Sequence, residues 1–505
     1  MQEVIAVLDV GKTNKKIVLF DKRLNTLSVT KKAFPAVEQN GLLIETPDQV
    51  LSWLLDSLKL YSQKYHIAAI SIAAHGAEAA FLDENGDFTV PPLSYTNSSS
   101  PGIIENFYQR FGSREQLHIS TATPEVGDMV NLGKLVHFAQ QKFPEQFKRT
   151  KRILPYPQYF VYKLTGKAVA EPTMLGCHTY LLDAQTRGYS SVVDGLGIRE
   201  MLPEKISKSW DSPGKLLEGI SREYSLPESC VVTSGIHDSN SSLLPYISSS
   251  EDDFVLNSTG TWCVAMRPSH KVELSEDQIG KMIFYNFDVF SNPVKTSIFM
   301  GGKEYQSYEM LFEKFSNQNS GSQPDDDVYL KVLEDGDKFI LPSIVPGTGI
   351  FGESKGSVVE AGRAINYENL AADNCPDFFK DRKTAEAVLA LSIAIQSSIA
   401  IRHTGFAEGD KIYVEGGFAE NISYLTLLQR LLPSSEVYTT SMPQASSTGA
   451  AILALAAIEG IAPDELDINI NFQTRRVPQD DKLYLEGYLQ KYLRLLENSQ
   501  QGGAE

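Results

Sequence analysis

The chain is poor in cysteine and in basic residues, and each shortage removes a class of function. Its four cysteines, Cys177, Cys230, Cys263 and Cys375, lie far apart with no C-x-x-C spacing, which speaks against a zinc ribbon or a disulfide framework and predicts reduced, buried, structural thiols. Forty-six Lys and Arg face sixty-three Asp and Glu, for a formal charge of −17, so a general nucleic-acid binder is not expected, because neutralising phosphates needs clustered cations. Long apolar runs are missing too. The most apolar windows, Ala387 to Ile401 and Thr448 to Ile461, are broken by Gln396, Ser397, Ser398 and Glu459, short of a bilayer span. Met1-Gln2-Glu3 enters a strand-like run with no basic, apolar leader. These readings predict a cytoplasmic protein with no membrane partner.

At 505 residues the chain exceeds one compact core and can enclose a cleft between domains. Val4 to Leu8 and Ile17 to Phe20 flank the polar run Asp9 to Lys16, which predicts two antiparallel strands and a Gly-containing turn. Thr46-Pro47-Asp48-Gln49 carries a capping-box signature ahead of Val50, Leu51, Leu54, Leu55, Leu58 and Tyr61 at helical spacing. A buried strand over Ile67 to Ala74 follows, ending at His75-Gly76. Pro91 to Thr123 reads as more irregular. The polar run Ser248 to Asp253 marks the preferred boundary, and beyond it Phe254 to Met266 repeats the strand, Gly/Thr turn, strand pattern of the chain's beginning. We expect an N-terminal domain over 1–247, a C-terminal domain over 248–498, in which Leu485 to Leu496 forms a packing helix, and a disordered tail over 499–505.

The stretch Thr233-Ser234-Gly235-Ile236-His237-Asp238-Ser239 follows the strand-like Cys230 to Thr233. It places a carboxylate at a strand's carboxyl end, where open α/β sheets bind ligands. An Asp after such a turn is also an ordinary turn former or helix cap. Gly11-Lys12-Thr13 mimics the end of a phosphate-binding P-loop, but Ala6 stands where the first glycine belongs. The turn still groups backbone N–H donors, a Thr hydroxyl and lysines beside Asp9, which suits phosphate oxygens and hydrated Mg²⁺ and equally suits a solvated basic turn. Gly347-Thr348-Gly349-Ile350-Phe351-Gly352 matches the dinucleotide pattern, yet prolines 342 and 346 interrupt the preceding strand and no apolar helix follows. Gly416-Gly417, between a strand and a helix, allows close approach of a ligand to the backbone or simply makes a tight turn.

Taken in chain order, L-D-V-G-K-T-N-K-K at 8 to 16, A-H-G-A-E-A-A-F-L-D-E-N-G at 74 to 86, Y-K-L-T-G at 162 to 166, G-I-H-D-S at 235 to 239, N-S-T-G-T-W at 257 to 262 and G-G-F-A-E-N at 416 to 421 resemble the FGGY family of carbohydrate kinases. Within it, His237-Asp238-Ser239 and Gly260-Thr261-Trp262 are most similar to the rhamnulokinase branch. The resemblance implies an α/β fold of two actin-like, ribonuclease H-like domains with ATP and a sugar between them. It implies phosphoryl transfer to a small ketose such as L-rhamnulose, with Asp238 as proton acceptor. The sugar would lie against His75, Gly76, Glu78, His237 and Ser239. ATP would face Gly11, Lys12, Thr13, Asn14, Lys15, Lys16, Gly260, Thr261, Gly416, Gly417 and Asn421, and Asp9 would place Mg²⁺ through water. A homodimer is compatible with it. Gln158 stands where many relatives carry an acid, His75 where aromatic or other polar residues are commoner, and the first turn is unusually rich in lysine. Two other readings are carried: an actin-like ATP-binding regulatory protein, and an NAD-dependent oxidoreductase resting on 347 to 352.

Overall fold

The computed structural model describes residues 1–501 apart from 13, 251, 317–323, 346, 443, 469, 471–472 and 480–483. The first sheet begins with β1 (Gln2–Val10) and β2 (Asn14–Phe20), antiparallel, with Asp9 opposite Lys16 and Val10 opposite Lys15. The reversal is shorter than the polar run suggests. Asp9, Asn14, Lys15 and Lys16 are strand residues, because ladder hydrogen bonds carry the pairing past the point where the side chains turn polar. Thr13 lies outside the described residues.

β3 (Thr26–Ala33) pairs with β2, and α1 (Pro47–Tyr61) buries Val50, Leu54 and Leu58. The Thr46 side chain makes no cap bond; Pro47 starts the helix and Asp48 instead accepts a hydrogen bond from the Tyr159 hydroxyl. β4 (Tyr65–Ala74) runs parallel to β1. Helices at Pro101–Phe111 and Arg114–Thr121, the latter opened by a Ser113–Gln116 capping box, occupy the stretch expected to be irregular. Both are short and turn buried faces to the core, so helical order survives there without a long periodic run. Then come α2 (Tyr156–Thr165), β5 (Gly214–Lys215), β6 (Val231–Val232) and β7 (Ile236–His237). β6 and β7 pair in tandem with β4, and β7 runs straight into α3 (Asp238–Ile247). Val4 to Leu8 are fully buried, as expected for a strand with helices on both faces.

The second sheet opens with the hairpin of β8 (Phe254–Thr259) and β9 (Cys263–Pro268), followed by β10 (Ile283–Phe287), β11 (Pro293–Phe299) and α4 (Gly301–Phe315). α5 (Arg382–His403) is long and apolar enough to cross a membrane, but 83% of its most apolar window is buried inside the protein, where it is the central core helix. β12 (Lys411–Gly416) lies parallel to β8, α6 (Ile422–Leu431) follows, and β13 (Glu436–Ser441) lies parallel to β12. After β13 come α7 (Ala445–Glu459), the edge strand β14 (Gln473–Arg476) and α8 (Glu486–Gln501). The sheet order is β10-β11-β9-β8-β12-β13-β14. Each sheet thus starts with an antiparallel hairpin and adds parallel strands beside it, the duplication that the two Gly-containing turns foretell.

α7 crosses the partition expected from sequence. Its residues Ala450 to Leu455 pack against Ile5, Val7, Ala69 and Ala73 of the first sheet and against Leu244 of α3. A Cβ on Gly449 would sit 1.8 Å from the Ser241 carbonyl oxygen, so glycine there lets α7 and α3 nearly touch. The C-terminal tail is also ordered further than expected. α8 continues through Gln501, since Tyr488, Tyr492 and Leu496 extend its buried stripe and the Ser499 hydroxyl donates to the Leu496 carbonyl. Residues 502–505 lie outside the described region. The 347–352 segment is a turn against β11, with Gly349 held close to Phe299 and no helix opening from it.

Candidate active site

Asp238 owes its position to β7 and to what anchors the strand. The His237 N–H donates to the Thr173 hydroxyl, and the Gln158 amide donates to the carbonyls of Ser234 (3.0 Å) and Gly235 (3.3 Å). Gln158 is therefore not a sugar-pocket residue; it clamps the bend that aims β7. Asp238 is the first residue of α3, where the helix dipole favours an anion. Its Oδ1 accepts from the Ser239 N–H at 2.7 Å and lies 3.4 Å from His237 Nε2. Burial raises its pKa above the ordinary carboxylate value, while His75 and the Ser239 hydrogen bonds pull it partly back. Such a carboxylate accepts a proton more readily than an exposed one.

A cavity of about 380 Å³ opens beside Asp238, between the two sheets. His75, Gly76, His178, His237 and Ser239 line it from the first domain, and Trp262, Phe284, Asn286 and Ile298 from the second. Among the described residues Asn286 Oδ1 of this lining is buried without a hydrogen-bond partner, and His75 Nε2 makes no hydrogen bond but lies 3.7 Å from the Glu78 carboxylate. His75 donates from Nδ1 to the Gly76 carbonyl at 2.8 Å, which leaves Nε2 as an acceptor. Burial holds His75 below its usual pKa and takes His178 and His237 down to about 3, so the latter two imidazoles are uncharged at neutral pH. Gly76 has a steric reason. A Cβ there would lie 2.8 Å from His178 Nε2.

Glu78 does not line this cavity. It is buried behind His75, receives a hydrogen bond from Lys12 Nζ at 3.1 Å, and burial pushes its pKa up to about 8. The three lysines of the first hairpin also part company. Lys12 turns inward to Glu45, Glu78 and Ser94, and the buried Lys15 donates to the Lys12 carbonyl at 2.9 Å. Lys16, 3.6 Å from Asp9, keeps about a quarter of its side chain exposed. The sequence groups these cations at one turn, but strand alternation sends adjacent side chains to opposite faces. Asp9 is itself mostly buried, and Oδ2 accepts from Ser446 at 2.7 Å and Ser447 at 3.0 Å, both on α7.

The second hairpin and the Gly416 turn meet. Thr259 is the register partner of Gly416; its hydroxyl donates to the Glu415 carbonyl and accepts from the Phe418 N–H at 2.9 Å. Gly260 is exposed, with nothing closer to an added Cβ than the Trp262 carbonyl at 3.6 Å. Behind it lies the N-terminus of α4. The Lys303 N–H donates to the Thr261 carbonyl at 3.2 Å, and a Cβ on Gly302 would fall 1.9 Å from the Gly260 carbonyl oxygen. The Asn421 amide oxygen caps α6 by accepting from the Tyr424 N–H, so that oxygen has a structural task.

Sequence reasoning missed Tyr95, Asn286 and His178 at the cavity and the Gly301-Gly302 helix start. It also read Cys177 as purely structural, whereas Cys177 is buried against the cavity with His178 beside it; Cys375 is only half-buried. The adjacent Cys177-His178 pair is the one signal that pointed there.

The description "FGGY family of carbohydrate kinases, N-terminal domain" matches residues 4–245, and "Carbohydrate kinase FGGY, C-terminal domain" matches residues 251–463. The chain belongs to the FGGY family of carbohydrate kinases. Among solved structures, a carbohydrate kinase from Novosphingobium aromaticivorans superposes with a TM-score of 0.81 at 28% identity, covering 98% of this chain and 99% of that one. The L-fuculokinase of Escherichia coli (strain K12) is 25% identical over 283 residues, 54% of this chain and 58% of its own. A rhamnulokinase of Enterococcus faecalis is 31% identical over 196 residues, 38% of each chain. The match thus spans less than two thirds of these curated relatives. The fold is the family's two-domain, actin-like α/β architecture.

The FGGY chain's own groups fit a nucleotide and a hard cation. The open face over Gly260 leaves backbone accessible to phosphate, whereas the first N–H groups of the fifteen-residue α4 behind it are turned to the Cys263 sulfur and the Thr261 carbonyl. Among the described residues every hydrogen bond to Asp9 falls on Oδ2, which leaves Oδ1 to hold a metal-bound water.

Proposed function

We propose that this chain transfers the γ-phosphoryl group of ATP to a hydroxyl of a small deoxyketose, of the L-rhamnulose or L-fuculose kind. The observation that carries the reading is the half-buried Asp238 carboxylate, its pKa raised, facing one cavity walled by both domains. Phosphoryl transfer depends on positioning and charge stabilisation, so catalysis needs a base at the attacking hydroxyl and donors around the phosphates. Asp238 takes the proton of that hydroxyl. The unpartnered Asn286 Oδ1 receives another sugar hydroxyl, and Val126, Val130, Phe284 and Ile298 offer an apolar wall to a deoxy carbon. A polyol with a hydroxyl at that carbon would leave it unpaired against the wall.

The hairpin at Gly260 and Thr261 cradles the phosphates, and the adenosine lies toward Gly416 and Gly417. Lys16 is the cation of the first hairpin left to face the transferred group. Mg²⁺, held through water by Asp9, would offset phosphate charge. A coupled ADP-release assay across L-rhamnulose, L-fuculose, D-xylulose, gluconate and glycerol tests the reading. Turnover confined to the deoxyketoses supports it; sugar-independent ADP release would favour an actin-like ATPase.

A further inference from the structure

Three ligand atoms of metal-binding type converge on the inner wall of the cavity. Cys177 Sγ lies 3.3 Å from His237 Nε2 and 3.1 Å from His178 Nδ1, with His178 Nε2 at 3.6 Å. One atom from each of these residues falls within 4.8 Å of the other two. A tetrahedral cation with roughly 2.3 Å bonds to sulfur and 2.0–2.1 Å bonds to nitrogen separates its S and N ligands by about 3.5 Å. The two S···N separations are therefore close to those of such a site. A sugar has little use for it, since a thiol is a weak hydrogen-bond partner.

The surroundings fit a metal in other ways. His178 holds a left-handed backbone (φ 42°), unusual for a non-glycine residue, and Gly76 leaves room for its ring. His237 Nδ1 faces the Asn240 amide at 3.2 Å, and among the described residues Asn240 Oδ1 is buried with no hydrogen-bond partner. Turning that amide over lets Nδ1–H donate to Oδ1, which satisfies the orphaned oxygen and frees Nε2 for a metal. Asp238 Oδ1, 3.4 Å from His237 Nε2, stands on the open side, where a fourth ligand or water would enter from the cavity.

We propose that Cys177, His178 and His237 bind a thiophilic divalent cation of the Zn²⁺ class, which occupies the inner wall of the cavity and excludes the substrate. Binding displaces the thiol proton to solvent and leaves the sulfur as a metal thiolate. The metal site stands on geometry alone; its inhibitory consequence rests on the sugar-kinase reading.

Cobalt chloride titrated into the full-length protein gives the test, because Co²⁺ reports thiolate ligation and tetrahedral geometry by absorption. The wild type and the Cys375→Ser control should both develop a thiolate-to-cobalt charge-transfer band and intense visible bands, which zinc chloride then bleaches. Cys177→Ser should abolish the charge-transfer band, and His178→Ala should weaken cobalt affinity about 10-fold or more, with circular dichroism unchanged. No band in the wild type, or one that survives Cys177→Ser, overturns the site. L-rhamnulose or L-fuculose should compete with cobalt. If cobalt binds as described and neither sugar competes, the metal site stands and the sugar assignment of this cavity fails.

Discussion

Thr259 and Gly416 are partners across β8 and β12, so close that a Cβ on Gly416 would lie 2.3 Å from the Thr259 carbonyl oxygen. With φ 84° and ψ −153°, Gly416 also occupies a region essentially closed to other residues, where strain costs on the order of 1–3 kcal/mol. Its glycine is required by the sheet, whatever binds nearby. Gly260 has neither constraint. Gly260→Ala is therefore expected to keep the denaturation midpoint and weaken ATP more than sugar in calorimetric titrations, whereas Gly416→Ala should lower the midpoint itself. Unchanged nucleotide affinity in a folded Gly260→Ala protein would remove the hairpin from the nucleotide site.

Gln158 acts on Asp238 through the bend it holds. Its amide donates to two carbonyls, which an ionised carboxylate cannot do. Gln158→Glu should be tolerated only while the new acid keeps its proton, so stability and kcat should both fall as pH rises, by about 1–3 kcal/mol in stability once the carbonyls lose their donor. Gln158→Leu should lose stability without that pH dependence. Denaturant midpoints over a pH series separate the two; parallel curves would mean that the donor bonds are not what matters.

Glu78 provides a second pH signature. Its folded pKa of about 8 exceeds the ordinary 4.5 because burial penalises the charged form and Glu45 adds repulsion. The folded state thus binds the extra proton between those values. The stability this confers is complete below the unfolded pKa and is lost as pH rises through about 8. Glu78→Gln should flatten that decline in denaturant midpoints. A variant as pH-sensitive as the wild type would assign the decline to another group.

Much of this was legible in the chain, and what was not has a physical cause. Both hairpins follow from apolar runs around Gly11 and Gly260, and the strand-end Asp238 follows from the run before it. The lysines of the first turn could not be placed, because their direction depends on strand alternation and on Glu45 and Glu78, which arrive from other segments. The same holds for Asp9, whose Ser446 and Ser447 donors lie more than 430 positions away in sequence. Asn286 and Phe284 enter the cavity only because β10 reaches the cleft, an arrangement that no local pattern records. For Gly416 the sequence leaves a ligand approach and a tight turn both open, because the contact with Thr259 that requires the glycine comes from a strand more than 150 residues away.

The role of Asp238 is the centre of the account, and kcat of Asp238→Asn at saturating ATP and deoxyketose tests it most directly. Asparagine keeps the size and the start of α3 but cannot accept the proton. kcat should fall roughly 10²–10⁴-fold, with sugar and ATP affinities and the denaturation midpoint near those of the parent. The raised pKa of Asp238 should also place the acid limb of the parent's kcat/KM profile above the ordinary carboxylate range, and the variant should lack that limb. Turnover within a few-fold of the parent, with the limb intact, would contradict the assignment of Asp238 as the base.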